Sequence, residues 1–554
     1  MKTLILLIIS SATSLMFAQS VMFQKQMNSN NPTAQALCIN KTNDGGFVIA
    51  MDTMTFACVN ASTTVIRTDS NGTIVWSKNF YWVLGAEYYI INYVQQTSDN
   101  GFIVVGNTIE SSTQYSFMIK TDSNGDFLWW HRYLTPTNTI ISGSGFTPAI
   151  LFNFGMQAKE MDDHGFIVVG VSYDNSDSLY SYRVIKTDSM GNVIWIKNYN
   201  PSIYLGGCKL ALVGNNSTQG FVISGYGVDS AVNGAGHAFV TSIDYQGSVL
   251  WAKKYLFNED AGNAIEKCSD NGFIITGYER NNMAPYIMAL KIDSVGNVQW
   301  SQFYGTIINH LSLANSVKQT SDGGYILGGN YLVTPDDGQA VLVKINSSGD
   351  LQWGRIYYGN NRYSYMLDLT VTDDGGYAFC GCIYDSIPNQ GASSVYLVRT
   401  DSLGNTGCFD SAFTFIQMPG NLHSVTYSPL VTSETISVDE PASCSMVNQP
   451  ITSVNICSTL GIENSNENIN TINVFPNPFT TATTLTIQGT CHNPSLFIYN
   501  LLGQVVETLH ATSLQSGTNT QLTINRERLA SGMYFYKVID DNKEVIGIGK
   551  MVIE

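Results

Sequence analysis

Apolar positions recur along this chain in short runs bounded by Gly, Asp and Asn. GFIVVG at Gly101 to Gly106, repeated at Gly165 to Gly170, is apolar at every position between its glycines. A strand of that kind must be covered on both faces. Other strands alternate. Trp76, Lys78 and Phe80 share one face, as do Trp195, Lys197 and Tyr199, and Trp251, Lys253 and Tyr255. The two aromatics are expected to pack inward while the Lys stem covers apolar surface and its amine reaches water.

These runs fall into a repeat of about 50 residues, which points to a propeller or a solenoid. TDSNGTIVW at Thr68 to Trp76 returns as TDSNGDFLW (Thr121), TDSMGNVIW (Thr187), IDYQGSVLW (Ile243), IDSVGNVQW (Ile292) and INSSGDLQW (Ile345). A seventh copy, TDSLGNTGC at Thr400, has Cys408 where Trp is due. A second turn recurs in register, with Gly46, Gly101, Gly165, Gly220, Gly272, Gly324 and Gly376 each followed by Phe or Tyr. Each unit therefore predicts four strands joined by two constant hairpins and two variable connections. The last unit lacks its fourth strand. VMFQKQM at Val21 to Met27 has Phe23 in the Trp position and Lys25 in the Lys position, so the N-terminal strand is expected beside Tyr396 to Thr400.

The unit resembles the propeller repeats of quinoprotein-like and Kelch-like proteins. The Asp-box of sialidases is similar, but its Asp-to-Gly and Gly-to-Trp spacings are each one residue shorter. The resemblance implies an all-β fold, a seven-bladed β-propeller over residues 19–407 closed by the N-terminal strand, and carries almost no functional information.

Beyond Cys408 the composition shifts to Ser, Thr, Val and Pro, and 408–467 is expected as a linker. From 468 to 554, short strand signals at close spacing predict a β-sandwich. Within it PNP (Pro476, Asn477, Pro478), YNLLGQVV with Gly503, LASGMYFYKV with Gly532 and Tyr534, and the final KMVIE with Lys550 occur in order. Together they resemble the type A sorting domain of type IX secretion, found in a Gram-negative bacterial phylum. That resemblance implies the type IX machinery as a partner, export across the outer membrane, and removal of the domain in the linker.

Composition then narrows the partners. With 27 Lys and Arg against 43 Asp and Glu, the net charge of −16 repels phosphate backbones, which argues against nucleic acid. Lys2, then apolar residues from Leu4 to Ile9 and again from Leu15 to Phe17 ahead of Ala18, predict a secretory signal peptide over 1–18, and no later run is long enough to span a bilayer, so the mature chain is expected to be secreted or surface-bound. The ten cysteines show no CxxC pair or zinc spacing; most are expected as small buried residues, with Cys444 and Cys457 the favoured disulfide.

No nucleophile with a base, no paired carboxylates and no metal cluster converge in the sequence, so neither catalytic residues nor a cofactor are assigned. The pairs Asp162–Asp163 and Asp373–Asp374 belong to the repeated hairpins, and His164 stands at a turn position otherwise held by Asn or Gly. Variable connections are where a propeller carries grafted function. Two are aromatic: one holds Tyr81, Trp82, Tyr88 and Tyr89, the other Tyr358, Arg362 and Tyr363. Aromatic faces with Arg nearby suit sugar rings or peptide, so a glycan- or protein-binding module is expected. A polysaccharide-active enzyme and a structural surface component are the alternatives.

Overall fold

A computed structural model describes residues 21–28, 33–53, 62–82, 86–110, 113–139, 157–174, 179–200, 211–214, 220–228, 236–256, 260–281, 284–306, 310–334, 337–359, 363–384, 392–420, 422–434, 438–439, 444–458, 472–488, 495–500, 505–510, 519–526, 529–539 and 545–554. Among these residues the chain is all-β, built of small antiparallel sheets. It divides into two compact units, Met1–Thr459 and Leu460–Glu554.

The two recurrent hairpins explain the invariant residues. In the first, Thr42 N–H donates to the Gly46 carbonyl at 2.9 Å, and the third turn residue takes a left-handed backbone: Gly45 (φ 80°), Asn100 (65°), His164 (60°), Asn271 (64°), Gly323 (79°) and Gly375 (80°). Residues other than Gly at this position are mostly Asn, which tolerates that region best, and His164 is held there by the same turn. The following Gly is required for another reason: a Cβ on Gly46 would lie 2.2 Å from the Thr68 carbonyl oxygen. In the second hairpin, Asp69 accepts the N–H groups of Asn71 (2.9 Å) and Thr73 (2.8 Å), and Gly72 supplies φ 71°.

Each repeat folds into four strands, as in Ala34–Lys41, Phe47–Thr53, Ser62–Thr68 and Ile74–Trp82 of the first sheet. The seventh sheet, Tyr363–Val371, Tyr377–Tyr384 and Ser393–Thr400, takes its fourth strand from Phe23–Asn28, with Phe23 opposite Arg399 and Met27 opposite Val395. That is the pairing the sequence predicts.

Every one of these seven sheets has a fifth strand. All come from the stretch expected as a linker, taken in reverse order around the sheets. Asp410–Ala412 adds to the sixth sheet, Ile416–Pro419 to the fifth, His423–Thr426 to the fourth and Leu430–Glu434 to the third. Val438–Asp439 then adds to the second, Cys444–Asn448 to the first and Thr452–Ser458 to the seventh. Antiparallel pairing to the fourth strand satisfies edge groups that a four-stranded sheet leaves open. Cys408, where this stretch begins, is disulfide-bonded. Cys38, Cys268, Cys380 and Cys382 are buried free thiols; the side chains of Cys444 and Cys457 lie outside the described residues.

The sheets pack face to face in chain order. Val48 and Val65 of the first share a core with Val104 and Ile119 of the second, and Ile275 of the fifth shares one with Val240 of the fourth. Leu327 of the sixth packs with Ile287 of the fifth, and Leu342 of the sixth with Phe379 of the seventh. The series returns to its start, since Cys380 and Leu397 of the seventh pack with Phe47 and Ile49 of the first.

Each seam is made by the fourth strand of one sheet lying on the second hairpin of the next. The Trp76 ring sits on Gly125, where a Cβ would come within 3.0 Å of it, and stacks edge-on against Phe102 at 5.3 Å. Trp76 is half-buried, and the Lys78 amine, expected in water, reaches Asp126 of the next hairpin at 2.9 Å. His131, in the Lys position, donates from Nε2 to the Met190 carbonyl at 2.7 Å. At the last seam Phe23 covers Gly72 as the tryptophans cover theirs.

A second set of contacts pins the first hairpins. The buried cation near the end of the third strand pairs with the hairpin Asp of its own sheet: Lys120 with Asp99 (2.8 Å), Lys291 with Asp270 (2.7 Å), Lys344 with Asp322 (2.8 Å), Arg399 with Asp374 (3.0 Å), and Arg67 with Asp44. Burial would raise the Asp322 carboxyl, but Lys344, Thr320 and the Gly324 N–H together bring it down to about 2. These acids are structural, as their place in the turn implies.

The C-terminal unit has a three-stranded sheet (Ile472–Phe475, Ala482–Gln488, Asn519–Asn525) and a four-stranded one (Val505–His510, Ser495–Tyr499, Gly532–Ile539, Val545–Ile553). Leu485, Ile487 and Ile524 of the first share one core with Leu496, Ile498, Val538 and Met551 of the second.

Candidate functional site

The aromatic candidates sit at strand ends opposite the two hairpins. Tyr81 and Trp82 close the fourth strand of the first sheet, with backbones facing Ser445 and Cys444, and Tyr88 and Tyr89 lie opposite Ile109 and Thr108 at the start of the second sheet. Of their side chains nothing is described, and Arg362 lies outside the described residues. Tyr358 is half-buried; its N–H donates to the Phe409 carbonyl at 3.1 Å and its hydroxyl lies 3.4 Å from the Asp410 carbonyl. Tyr363 opens the inner strand of the seventh sheet, opposite Tyr384.

Sequence reasoning missed a polar cluster on the first, innermost strands. Just before the first hairpin these strands carry Asn40, Gln95, Lys159, Glu266, Lys318 and Thr370; a little earlier in the same strands stand Cys38, Tyr93, Ser316 and Asp368. Contacts between them run from sheet to sheet. Lys318 of the sixth sheet donates to Glu266 of the fifth at 3.0 Å, and Ser316 donates to Asp368 of the seventh at 2.8 Å. Asp368 also accepts the Ile39 N–H of the first sheet at 3.1 Å, and Asn40 donates to the Val94 carbonyl of the second at 2.8 Å. Asn263 and Asn315, the extra residues of inner-strand bulges, donate to the carbonyls of Ala314 and Met366 in the next sheet, each at 2.7 Å.

Burial pushes the Tyr93 hydroxyl well up, helped by Cys38, Asp368 and Glu266 from three other sheets. Burial would lower the Lys318 ammonium, but Glu266 and Asp368 outweigh it and hold it raised. Lys159 is lowered by burial, with Lys318 and Lys267 acting the same way against Glu266. The Lys318 and Glu266 side chains keep 31% and 32% exposure, so water reaches them. Asn40, Gln95, Lys159, Glu266, Lys318 and Thr370 each stand two residues before the residue that opens the first hairpin, a polar position whose chemistry changes from repeat to repeat, and that change was the available signal. Among the described residues no group of three or more His, Cys, Asp or Glu could hold a metal ion.

In the C-terminal unit the motif residues converge on the last strand. Asn477 accepts the Val552 N–H at 2.8 Å and donates to the Lys550 carbonyl at 3.2 Å, while Phe479 N–H donates to Val552 and Glu554 N–H to Phe479, each at 3.0 Å. Thr483 donates to the Pro476 carbonyl at 2.6 Å, and both bonds of PNP that precede proline, Phe475–Pro476 and Asn477–Pro478, are cis. Tyr534 is buried and donates to the Ala530 carbonyl at 2.9 Å; Gly532 has φ 153°, the Lys550 side chain is exposed, and Gly503 lies outside the described residues. Residues 473–554 match the family described as "Secretion system C-terminal sorting domain". The C-terminal unit is a type IX sorting domain. Such a domain is handled by the type IX secretion machinery and marks a protein of the cell surface or the extracellular space. No helix among the described residues is long and apolar enough to cross a membrane. No curated protein matches the chain. Among solved structures, a chain titled "Biofilm associated protein - BSP domain" is similar at 10% identity over 97% of this chain and 91% of that one, with a TM-score of 0.12, too low to carry an argument.

Proposed function

We propose that the first unit is a seven-bladed β-propeller, and that it serves outside the cell or on its surface as a binding or adhesion module for a glycan or a protein. The observation that carries the architecture is the return of the packing series, with Cys380 and Leu397 of the seventh sheet against Phe47 and Ile49 of the first. A series of stacked sheets whose last member packs on its first leaves no open end, which is how propellers manage sheet edges. Residues 1–18 act as a signal peptide, and the sorting domain is removed after export.

Among the described residues the two hairpins recur with the same turn hydrogen bonds from sheet to sheet. The opposite strand ends carry Tyr81, Trp82, Tyr88, Tyr89, Tyr358 and Tyr363, with Arg362 between the last two in sequence. Rigid aromatics on strand ends hold sugar rings or peptide by stacking at low entropic cost. The test is a glycan array and a surface-protein pull-down with exported protein. Binding that is lost in the Trp82→Ala, Tyr358→Ala double variant, without release of reducing ends, supports the module. Unchanged binding in the folded double variant rejects these residues as the site.

A further inference from the structure

We infer that Cys408 and Cys457 form a disulfide that clasps together the two ends of the outer-strand series, in place of the Cys444–Cys457 pair expected from the sequence. Cys408 is half-buried and disulfide-bonded. It stands just ahead of Asp410–Ala412, the outer strand of the sixth sheet, and Cys457 lies in Thr452–Ser458, the outer strand of the seventh. The series runs from the sixth sheet down to the first and ends on the seventh, so its two ends return to neighbouring sheets.

Gln24 of the N-terminal strand fixes how near those ends come. It is buried, and in the pairing of Phe23–Asn28 with Thr452–Ser458 it stands directly opposite Cys457. Its side-chain amide donates to the Cys408 carbonyl and, at 2.7 Å, to the Thr406 hydroxyl. Directly opposite residues of an antiparallel pair share a face of the sheet, with Cβ atoms about 4.5–5.5 Å apart. One glutamine side chain thus spans from the register position of Cys457 to the backbone of Cys408. The face concerned is the one toward the sixth sheet. Tyr396, which donates to the Gln24 amide oxygen, shares a core with Leu342 and Tyr357 of the sixth, and Ile456, at the bulge beside Cys457, packs on that core.

Among the described cysteines none competes. Cys38, Cys268, Cys380 and Cys382 are free thiols. The backbone of Cys444 lies opposite Trp82, at a strand end of the first sheet away from the hairpins, whereas Gln24 lies opposite Val398, close to the hairpin that follows Thr400. Cys408 is also held in place. Gly407 and Phe409 on either side take left-handed backbones (φ 87° and 53°), and the Phe409 carbonyl accepts the Tyr358 N–H at 3.1 Å. A bulky residue keeps that conformation only where its surroundings fix it.

Closure removes two protons and two electrons from the two thiols, and a protein disulfide of the oxidising periplasm accepts them as it is reduced to a dithiol. The bond makes 408–457 a closed loop that cannot peel from either end, and it fastens the strand that covers Phe23–Asn28. It stands ahead of the boundary between the two units at Thr459 and Leu460, so the tie stays with the first unit when the sorting domain is removed. That consequence rests on the removal; the bond does not.

The experiment is a peptide map of exported protein, alkylated and digested without reductant. One linked pair of peptides, carrying Cys408 and Cys457 and separating on reduction, is expected. A link from Cys408 to Cys58, Cys208, Cys444 or Cys491, or no link at all, overturns the assignment. Cys408→Ser and Cys457→Ser should each lower the Tm and speed proteolytic cleavage within 409–456 at least about tenfold. The double variant should lose no more than either single one, and Cys444→Ser should match the wild type. Additive losses in the double variant, or an equal loss in Cys444→Ser, would overturn the clasp.

Discussion

The indole Nε1 of Trp76, in the first sheet, donates to the carbonyl of Ser123, in the second hairpin of the next sheet, at 3.2 Å. Trp195 does the same to Tyr245 at 3.1 Å and Trp300 to Ser347 at 3.2 Å. The most conspicuous residue of the repeat is thus a clamp between sheets. Because Trp76 is half-buried, Trp76→Ala should cost about 2 kcal/mol, below the roughly 3–5 kcal/mol of a fully buried aromatic. Thermal or urea unfolding of the single variant checks this, and ligand binding by the folded fraction should be unaltered.

The same seams carry a buried hydrogen bond. Tyr199 donates to the Gly247 carbonyl at 2.6 Å, as Tyr255 does to Gly296 and Tyr133 to Gly191, both at 2.8 Å. Tyr199→Phe keeps the ring and removes the donor, leaving a carbonyl that must be desolvated without a partner. A loss of about 1–3 kcal/mol is expected in equilibrium unfolding. Phe80 occupies this position at the seam between the first and second sheets, so Phe80→Tyr should be nearly neutral if its hydroxyl finds the corresponding Gly125 carbonyl.

How far the fold could be read follows from where its constraints act. The hairpins and the Trp position were legible because a left-handed backbone at Gly72 and a carbonyl 2.2 Å from the place of a Gly46 Cβ admit almost no other residue. The missing seventh fourth strand and its replacement by Phe23 followed from counting. The fifth strands were hidden because each is short and makes mainly backbone pairs along one edge; Val425, Leu430, Val447 and Val454 are exposed, so no apolar alternation marks them. The inner cluster was hidden for another reason. Glu266, Lys318, Ser316 and Asp368 differ in chemistry, lie in three separate repeats, and meet only when the sheets are arranged.

Acid should loosen the first hairpins. The Asp322 carboxyl is depressed to about 2 in the folded chain, against about 4 in an unfolded one, by Lys344, Thr320 and the Gly324 N–H, with burial opposing. A depressed carboxylate contributes stability that is present above the unfolded value and lost as pH falls through the folded one. Tm measured from pH 5 down to pH 2 should therefore fall, and Asp322→Asn should start lower at pH 5 and fall less. Asp44, Asp99, Asp270 and Asp374 are depressed in the same direction, so one variant removes only part of the slope.

Removing the outer strands tests whether they are part of the folded unit. A chain ending at Gly407 loses the pairing that Asp410–Ser458 supplies to all seven sheets and exposes their fourth strands as edges. It should aggregate or unfold at markedly lower temperature than a chain ending at Thr459, read by light scattering and calorimetry. Equal behaviour of the two truncations would show that the outer strands are dispensable.

In the sorting domain, Asn477 joins the PNP segment to the last strand with both ends of its amide: it accepts from the Val552 N–H at 2.8 Å and donates to the Lys550 carbonyl at 3.2 Å. Asn477→Asp keeps the acceptor and replaces the donor with an oxygen that repels the carbonyl; Asn477→Ala loses both. If the secretion machinery reads a docked C-terminal strand, export should fall in the order wild type, Asp, Ala, each bond accounting for about 1 kcal/mol of docking. Both bonds are solvent-exposed, so the core of Leu485, Ile498 and Val538 should survive either change. The measurement is the ratio of extracellular to periplasmic protein alongside the unfolding temperature of the domain. An export defect in Asn477→Ala at unchanged Tm would assign the motif to recognition. A parallel fall in both would assign it to folding.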